Sequence, residues 1–389
     1  MPDSMPVADL PDPRVWPAPA DADAASAQLH VAVAEAIDAG TGREAAIADA
    51  RALQQIERLL AAQAGRALAD AFATAPSFAV ARHLWRLLAA VERGEPQRTT
   101  ALTTTLFALP VVLVAAVDAG DEALTLSGIL PDPRALEALL RDASEFAGAQ
   151  AFALSPALAA VDAIDLPALP GLLARRTLSE TAAGVLPPLD LPPAPIAVDP
   201  GGERVHLRFI AGAVLTAPRA DPLGATAIGT WGLPFAQAIS RQLHAAGLSV
   251  LALPRPPARL VPAAHAGRAA QREVAARVFA SNAIRKLRAS VGEPTAVVSA
   301  HRAADAPGGG ELRLSLSSPF APRDAEGFRC PLYPYEPVHD VIAMLAAMLR
   351  DCRVDDVGYR AGLHGDVDPL TGAPLLFKEA TARPAAPLH

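Results

Sequence analysis

One pattern constrains the fold of this chain more than any other, and it occurs twice. A long apolar run, an amphipathic helical segment, a glycine and a short apolar run follow one another near 106–154 and again near 205–253. The two stretches align without a gap at an offset of 99 residues: Gly148 meets Gly247, Ala153 meets Ala252 and Leu154 meets Leu253. Upstream, Val111 meets Ile210 and Val114 meets Ala213. Leu106–Val117 and Val205–Ala217 read as strands, and each is followed by a helix. The first spans Pro131–Ala147 with Leu136, Leu139, Leu140 and Phe146 inward; the second spans Gly232–Ala246 with Phe235, Ile239 and Leu243 inward. The glycine after each helix suits a left-handed C-cap. Short strands Gln150–Leu154 and Leu248–Leu253 follow, stopped by Pro156 and Pro254. The repeated order predicts two β-α-β units related by a divergent internal duplication.

The flanking sequence sets the rest of the organisation. Residues 1–25 are rich in Pro and Asp and are expected to be an arm without secondary structure, with Trp16 inside it as a docking residue. Residues 26–94 read as helices: Ser26–Ala39, Arg43–Ala73 and a third opened by Pro76 and stopped by Gly94. Short connections between amphipathic helices imply an antiparallel hairpin. Residues 95–184 hold the first α/β unit. The segment 185–200, whose core is VLPPLDLPPAPIAVDP, is a stiff extended linker because proline lacks a backbone donor. Residues 201–389 form the second α/β domain. After the second β-α-β unit it adds a long helix (His265–Ala289), strands Thr295–Arg302 and Glu311–Ser318 joined through Pro307 and three glycines, a helix (Val338–Arg350) and a strand (Arg353–Tyr359). The expected fold class is therefore α/β (α+β), with an N-terminal helical hairpin and two β-α-β-containing units, the second ferredoxin-like.

Hydrophobic residues make up 51% of the 389 and charged residues 19%, the balance of a chain that folds rather than one that stays disordered. Arg supplies all but two of the 34 basic residues, Lys286 and Lys378 being the exceptions; with abundant Ala this suggests a GC-rich bacterial genome. The net charge of −7 is uneven: residues 1–200 carry −12 and residues 201–389 carry +5. Such asymmetry suits halves that face each other or different partners. Two cysteines, Cys330 and Cys352, make no disulfide framework and fit a reducing compartment. The N-terminus lacks the basic and apolar regions of a signal peptide, and Leu106–Val117 is too short to span a bilayer. A cytoplasmic protein without membrane insertion is expected.

Familiar catalytic signatures are missing. The sequence has no GxxxxGK(S/T), no GxGxxG between strand and helix, no GxSxG, no HExxH, no CxxC and no EF-hand loop. No cofactor is expected. Two places remain. His364, Asp366 and Asp368 fall at i, i+2 and i+4, which in an extended segment project to one side and could hold a divalent metal. An ordinary Asp–Pro turn explains the same residues. The second place is the basic stretch 255–288, with anion-binding candidates Arg268, Arg272, Arg277, Arg285, Lys286 and Arg288. It lacks the interleaved aromatics of a single-strand binder, and a solvated helix face accounts for it equally. The leading functional expectation is a non-catalytic interaction or scaffold protein of a bacterial multi-protein assembly, with protein partners and self-association through residues 26–94. An enzyme with a non-standard metal site at His364, Asp366 and Asp368 ranks second. A nucleic-acid or polyanion binder through 255–288 ranks third.

Overall fold

The computed structural model describes residues 23–93, 103–117, 122–141, 149–179, 188–199, 204–217, 231–244, 248–290, 292–302, 310–318, 320–333 and 335–363, with a few isolated positions between. The described chain is mixed α/β and divides into two units. One comprises Ala24–Ala71 and His83–Val274; the other comprises Phe72–Arg82 and the described part of Ala275–His389.

The helical region contains α1 (Ala24–Asp38), α2 (Gly42–Ala61), α3 (Gly65–Ala73) and α4 (Phe78–Arg93). A capping box opens α2: the Glu44 N–H donates to Thr41 Oγ1 at 3.2 Å and the Thr41 N–H donates to Glu44 Oε2 at 3.1 Å. The apolar spacing predicts one helix over Arg43–Ala73, but the structure interrupts it. Gln63 adopts a left-handed φ of 57°, and Ala64 N–H closes the turn onto the Leu59 carbonyl. The helix restarts at Gly65, where a Cβ would lie 2.4 Å from the Leu166 carbonyl oxygen. Only a residue without a side chain lets the backbones approach so closely. His30 Nε2 donates to the Ala71 carbonyl at 2.7 Å, and His83 bridges Asp49 and Arg86. Ile56, Leu60, Leu84, Leu87 and Leu88 are buried within this single chain.

The same unit contains β1 (Thr103–Val117), β2 (Leu124–Leu126), α5 (Pro133–Arg141), β3 (Ala151–Leu154), α6 (Leu169–Ser179), β4 (Ile196–Val198), β5 (Arg204–Thr216), α7 (Gly232–Gln242) and β6 (Leu248–Pro254). Its main sheet has the order β3-β5-β1-β6, and every neighbour is antiparallel. The central pair runs in register from Thr103 opposite Thr216 to Ala115 opposite Arg204. β2 and β4 pair with each other outside that sheet, so the proline-rich stretch contributes a short strand.

The two β-α-β segments fill matching roles. β1 and β5 end at positions 99 apart, Val117 and Thr216; α5 and α7 begin 99 apart, at Pro133 and Gly232. Each short strand pairs with the long strand of the other segment: β3 with β5, β6 with β1. Leu136 and Leu140 of α5 and Phe235 and Ile239 of α7 are fully buried on one face of the sheet. The pairing corrects one detail of the sequence alignment. Leu154 lies opposite Gly212, and Ala252 lies opposite Leu113, the residue 99 before Gly212. Structure therefore equates Leu154 with Ala252, not with Leu253. A one-residue slip moves every side chain to the other face, and both Leu154 and Ala252 face the same core.

Pro110 sits inside the central strand β1, where a missing donor normally disrupts a sheet. Ala108 exchanges both backbone bonds with Ala258, and the Pro110 carbonyl accepts from Arg255 N–H at 2.8 Å. Even-numbered residues of this stretch thus face the β6 side. Pro110 falls where β6 has just ended at Pro254 and the chain turns away toward α8 (Leu260–Ser290). The residues up to Val274 of α8 belong to this unit. There Gly267 lies against Phe209 and Leu207 on the second face of the sheet. Both faces of β1 and β5 are covered, which explains their nearly unbroken apolar sequence.

The other unit holds β7 (Thr295–Arg302), β8 (Gly310–Ser318), β9 (Ala321–Leu332), α9 (Val338–Asp351) and β10 (Val357–Leu363). The sheet order is β10-β7-β8-β9, with β10 parallel to β7 and the others antiparallel. Its core joins Ala276, Ala280, Ile284 and Leu287 of α8 and Val341, Leu345 and Leu349 of α9 to Val298, Leu312, Leu314, Leu316 and Cys330 of the sheet. The ferredoxin-like order expected after residue 201 is distributed over two sheets, because β5 and β6 pair with β1. Partners about a hundred residues upstream leave no mark in local periodicity. β9 was not expected: APRDAEGFRCPL contains two prolines, a glycine and five charges, a poor strand pattern that the β8 ladder overrides. No described helix is long and apolar enough to cross a membrane.

Two outcomes follow from the first sheet. A Cβ at Gly212 would lie 2.5 Å from Phe107 Cζ and 2.8 Å from the Ala153 carbonyl oxygen. Gly212→Ala should therefore destabilise the protein by about 1–3 kcal/mol in urea denaturation. His206, on β5, has its pKa lowered by burial and then by the charges of Arg208 and Arg204. The unfolded chain then binds a proton that the folded chain resists, so stability should fall as pH drops below the ordinary 6.5. His206→Gln should flatten that fall, as followed by denaturation between pH 7 and pH 5.

Candidate functional site

The strand β8 reads Glu-Leu-Arg-Leu-Ser-Leu-Ser from Glu311 to Ser317, so alternate side chains reach opposite faces of the sheet. Leu312, Leu314 and Leu316 enter the helix-covered core. Glu311, Arg313, Ser315 and Ser317 share the other face. An antiparallel sheet commonly leaves such a face to water. Here all four are buried, at 7%, 6%, 3% and 8% exposure.

The neighbouring strands complete the cluster. β7 places Ser299 opposite Arg313 and His301 opposite Glu311. Ser299 Oγ lies 2.7 Å from His301 Nε2. Arg313 Nε donates to Glu311 Oε1 at 2.6 Å, an ion pair with both side chains below a tenth exposed. β9 places Arg329 directly opposite Arg313, and Gly327 directly opposite Ser315. The Ser315 Oγ is buried and has no hydrogen-bond partner. One sheet face thus gathers a serine–histidine contact, a buried carboxylate–guanidinium pair, a second arginine and an unsatisfied hydroxyl.

Chemically, a serine hydroxyl within 2.6–3.2 Å of an imidazole has the reach of a nucleophile and its base. Glu311 stands across from His301, but its Oε1 is held by Arg313. Ser299 and His301 are 1% and 4% exposed, so the conformation seen is closed to a substrate. Buried charges are kept only where partners and hydrogen bonds compensate their desolvation, and the Glu311–Arg313 pair meets that demand.

The basic residues singled out from the sequence do not gather in one place. Arg268 pairs with Asp165, and Arg272 is only 7% exposed; both belong to the first unit. In the second, Arg277 pairs with Asp351 at 3.2 Å and Arg285 donates to Asn282 Oδ1. Lys286 pairs with Glu326, and Arg288 binds Glu293 and the Arg353 carbonyl. His364, Asp366 and Asp368 lie outside the described residues. Among the described residues no three His, Cys, Asp or Glu side chains gather as a metal-binding group. Both cysteines are free thiols.

Sequence reading identified the β8 strand but attached no role to Glu311, Arg313, Ser315, Ser299 or His301. The signal was present as the alternation of Leu with charged and hydroxyl residues. It reads as a solvated face until the burial is known.

Arg313→Met should lower stability by about 3–5 kcal/mol, because it strands the buried Glu311 carboxylate. The double variant Glu311→Leu with Arg313→Met should cost markedly less than the single one. Urea denaturation of the four members of that cycle measures the coupling.

No protein-family model, no curated protein and no solved structure matches this chain.

Proposed function

We propose that this chain is a non-catalytic interaction or scaffold protein, docking a protein partner through the tip of the β8–β9 hairpin. The observation that carries the reading is Phe320, which stands 88% exposed at that tip. It is held there by a tight turn in which Ser318 pairs with Ala321 and Phe320 N–H donates to Ser318 Oγ. A large aromatic on a rigid turn presents apolar area at low conformational cost, the usual make-up of an interface anchor. Leu233 and Leu251, 69% and 56% exposed, add apolar surface in the other unit. Leu251 lies on β6, an edge strand of its sheet whose sequence LSVLALP carries no charge. The groups with chemical potential point the same way: Ser299 and His301 are enclosed, and four of the six basic candidates are engaged by carboxylates.

A second reading, an enzyme, draws on the 2.7 Å contact between Ser299 and His301. A fluorophosphonate probe separates the two. Labelling lost in Ser299→Ala would favour the enzyme.

Phe320→Ser should leave the melting temperature within about a degree, since the ring buries little in its own chain. It should also strip from the protein the partners that co-purify with it from its native cell. Retention of the same partners by the variant would count against the hairpin tip as the docking element.

A further inference from the structure

The second sheet carries an imbalance that its own pairs do not resolve. Arg313 and Arg329 are directly opposite residues on adjacent antiparallel strands. Like charges in that relation repel, and the repulsion grows as water is removed. Glu311 supplies one carboxylate, and it is bound to Arg313. Two guanidiniums and one carboxylate leave an excess positive charge on a face where Arg313 is 6% exposed. Beside them Ser315 offers a hydroxyl that is buried, 3% exposed and without a hydrogen-bond partner. Opposite Ser315 stands Gly327, which contributes no side chain and leaves room above the hydroxyl.

We infer that this face is a carboxylate-binding site, in which Arg313 and Arg329 flank the carboxylate and the Ser315 hydroxyl donates to one of its oxygens. Guanidinium forks match carboxylate geometry in two parallel hydrogen bonds, and a hydroxyl donor completes the oxygen's coordination. The chain itself offers one source of the group. Residues 1–22 contain Asp3, Asp9, Asp12 and Asp21 against a single Arg14. A small free carboxylate is the other source. The inference does not depend on the hairpin tip.

Citrate titrations of the full-length protein, at constant ionic strength with chloride as control, test it by melting temperature. Three proteins are compared: the natural chain, a variant with Asp3, Asp9, Asp12 and Asp21 all changed to Asn, and each of these carrying Ser315→Ala. If an N-terminal aspartate fills the site, the natural chain ignores citrate, while the four-Asn variant melts lower and is restored by citrate. If the site takes a free ligand, the natural chain itself is stabilised by citrate. In either case Ser315→Ala, which removes an unpartnered hydroxyl and so spares the fold, should weaken the citrate response about tenfold. The inference is overturned if neither background responds to citrate beyond chloride, or if Ser315→Ala leaves the response unchanged.

Discussion

The first sheet depends on one pairing, the antiparallel ladder between β1 and β5. These two strands lie at the centre, and every other element of that layer attaches to them. β3 and β6 extend the ladder outward, α5 and α7 cover one face, and α8 reaches the other through Gly267. The contact is tight in the middle, where Gly212 admits the Phe107 ring and Phe107 in turn packs near Phe146 and Phe152. The smallest and one of the largest side chains face each other across the ladder. Neither strand could exchange its partner without opening a cavity or a clash.

Much of this was legible in the sequence for a physical reason. Strand and helix periods are local, so apolar spacing located β1, α5, β3, β5, α7 and β6 within a few residues, and the offset of 99 anticipated their matching roles. Pairing is not local. The sequence could not show that β5 would leave the C-terminal strands and join β1, nor that Leu154 matches Ala252. Gln63 shows a different limit: the apolar spacing over 43–73 is helical throughout, and the interruption comes from the backbone approach at Gly65.

The candidate site was harder to see. Glu311, Arg313 and Ser315 alternate with leucines as any half-exposed strand would, and only their burial sets them apart. The basic residues of α8 were conspicuous in the sequence because charges cluster visibly there. Their partners Asp165, Glu326 and Asp351 are distant in the chain, so the neutralisation was invisible. Conspicuous charge and consequential charge are different properties. The second is a matter of desolvation, which a sequence records only indirectly.

The spacing between the central strands also sets a clock. On a ribosome, β1 emerges as fifteen mostly apolar residues, and the end of its partner β5 lies 99 residues further along the chain. At about 5–20 residues per second, that interval lasts about 5–20 s. During it, TTTLFALPVVLVAAV has neither its ladder partner nor the α7 and α8 residues that later cover its faces. A strand of that composition is prone to pair with whatever strand it meets. Pro110, midway along it, withholds one donor and interrupts the row of hydrogen bonds that a stray neighbour would need. The residue that the finished sheet accommodates at the exit of β6 thus also protects the unfinished chain.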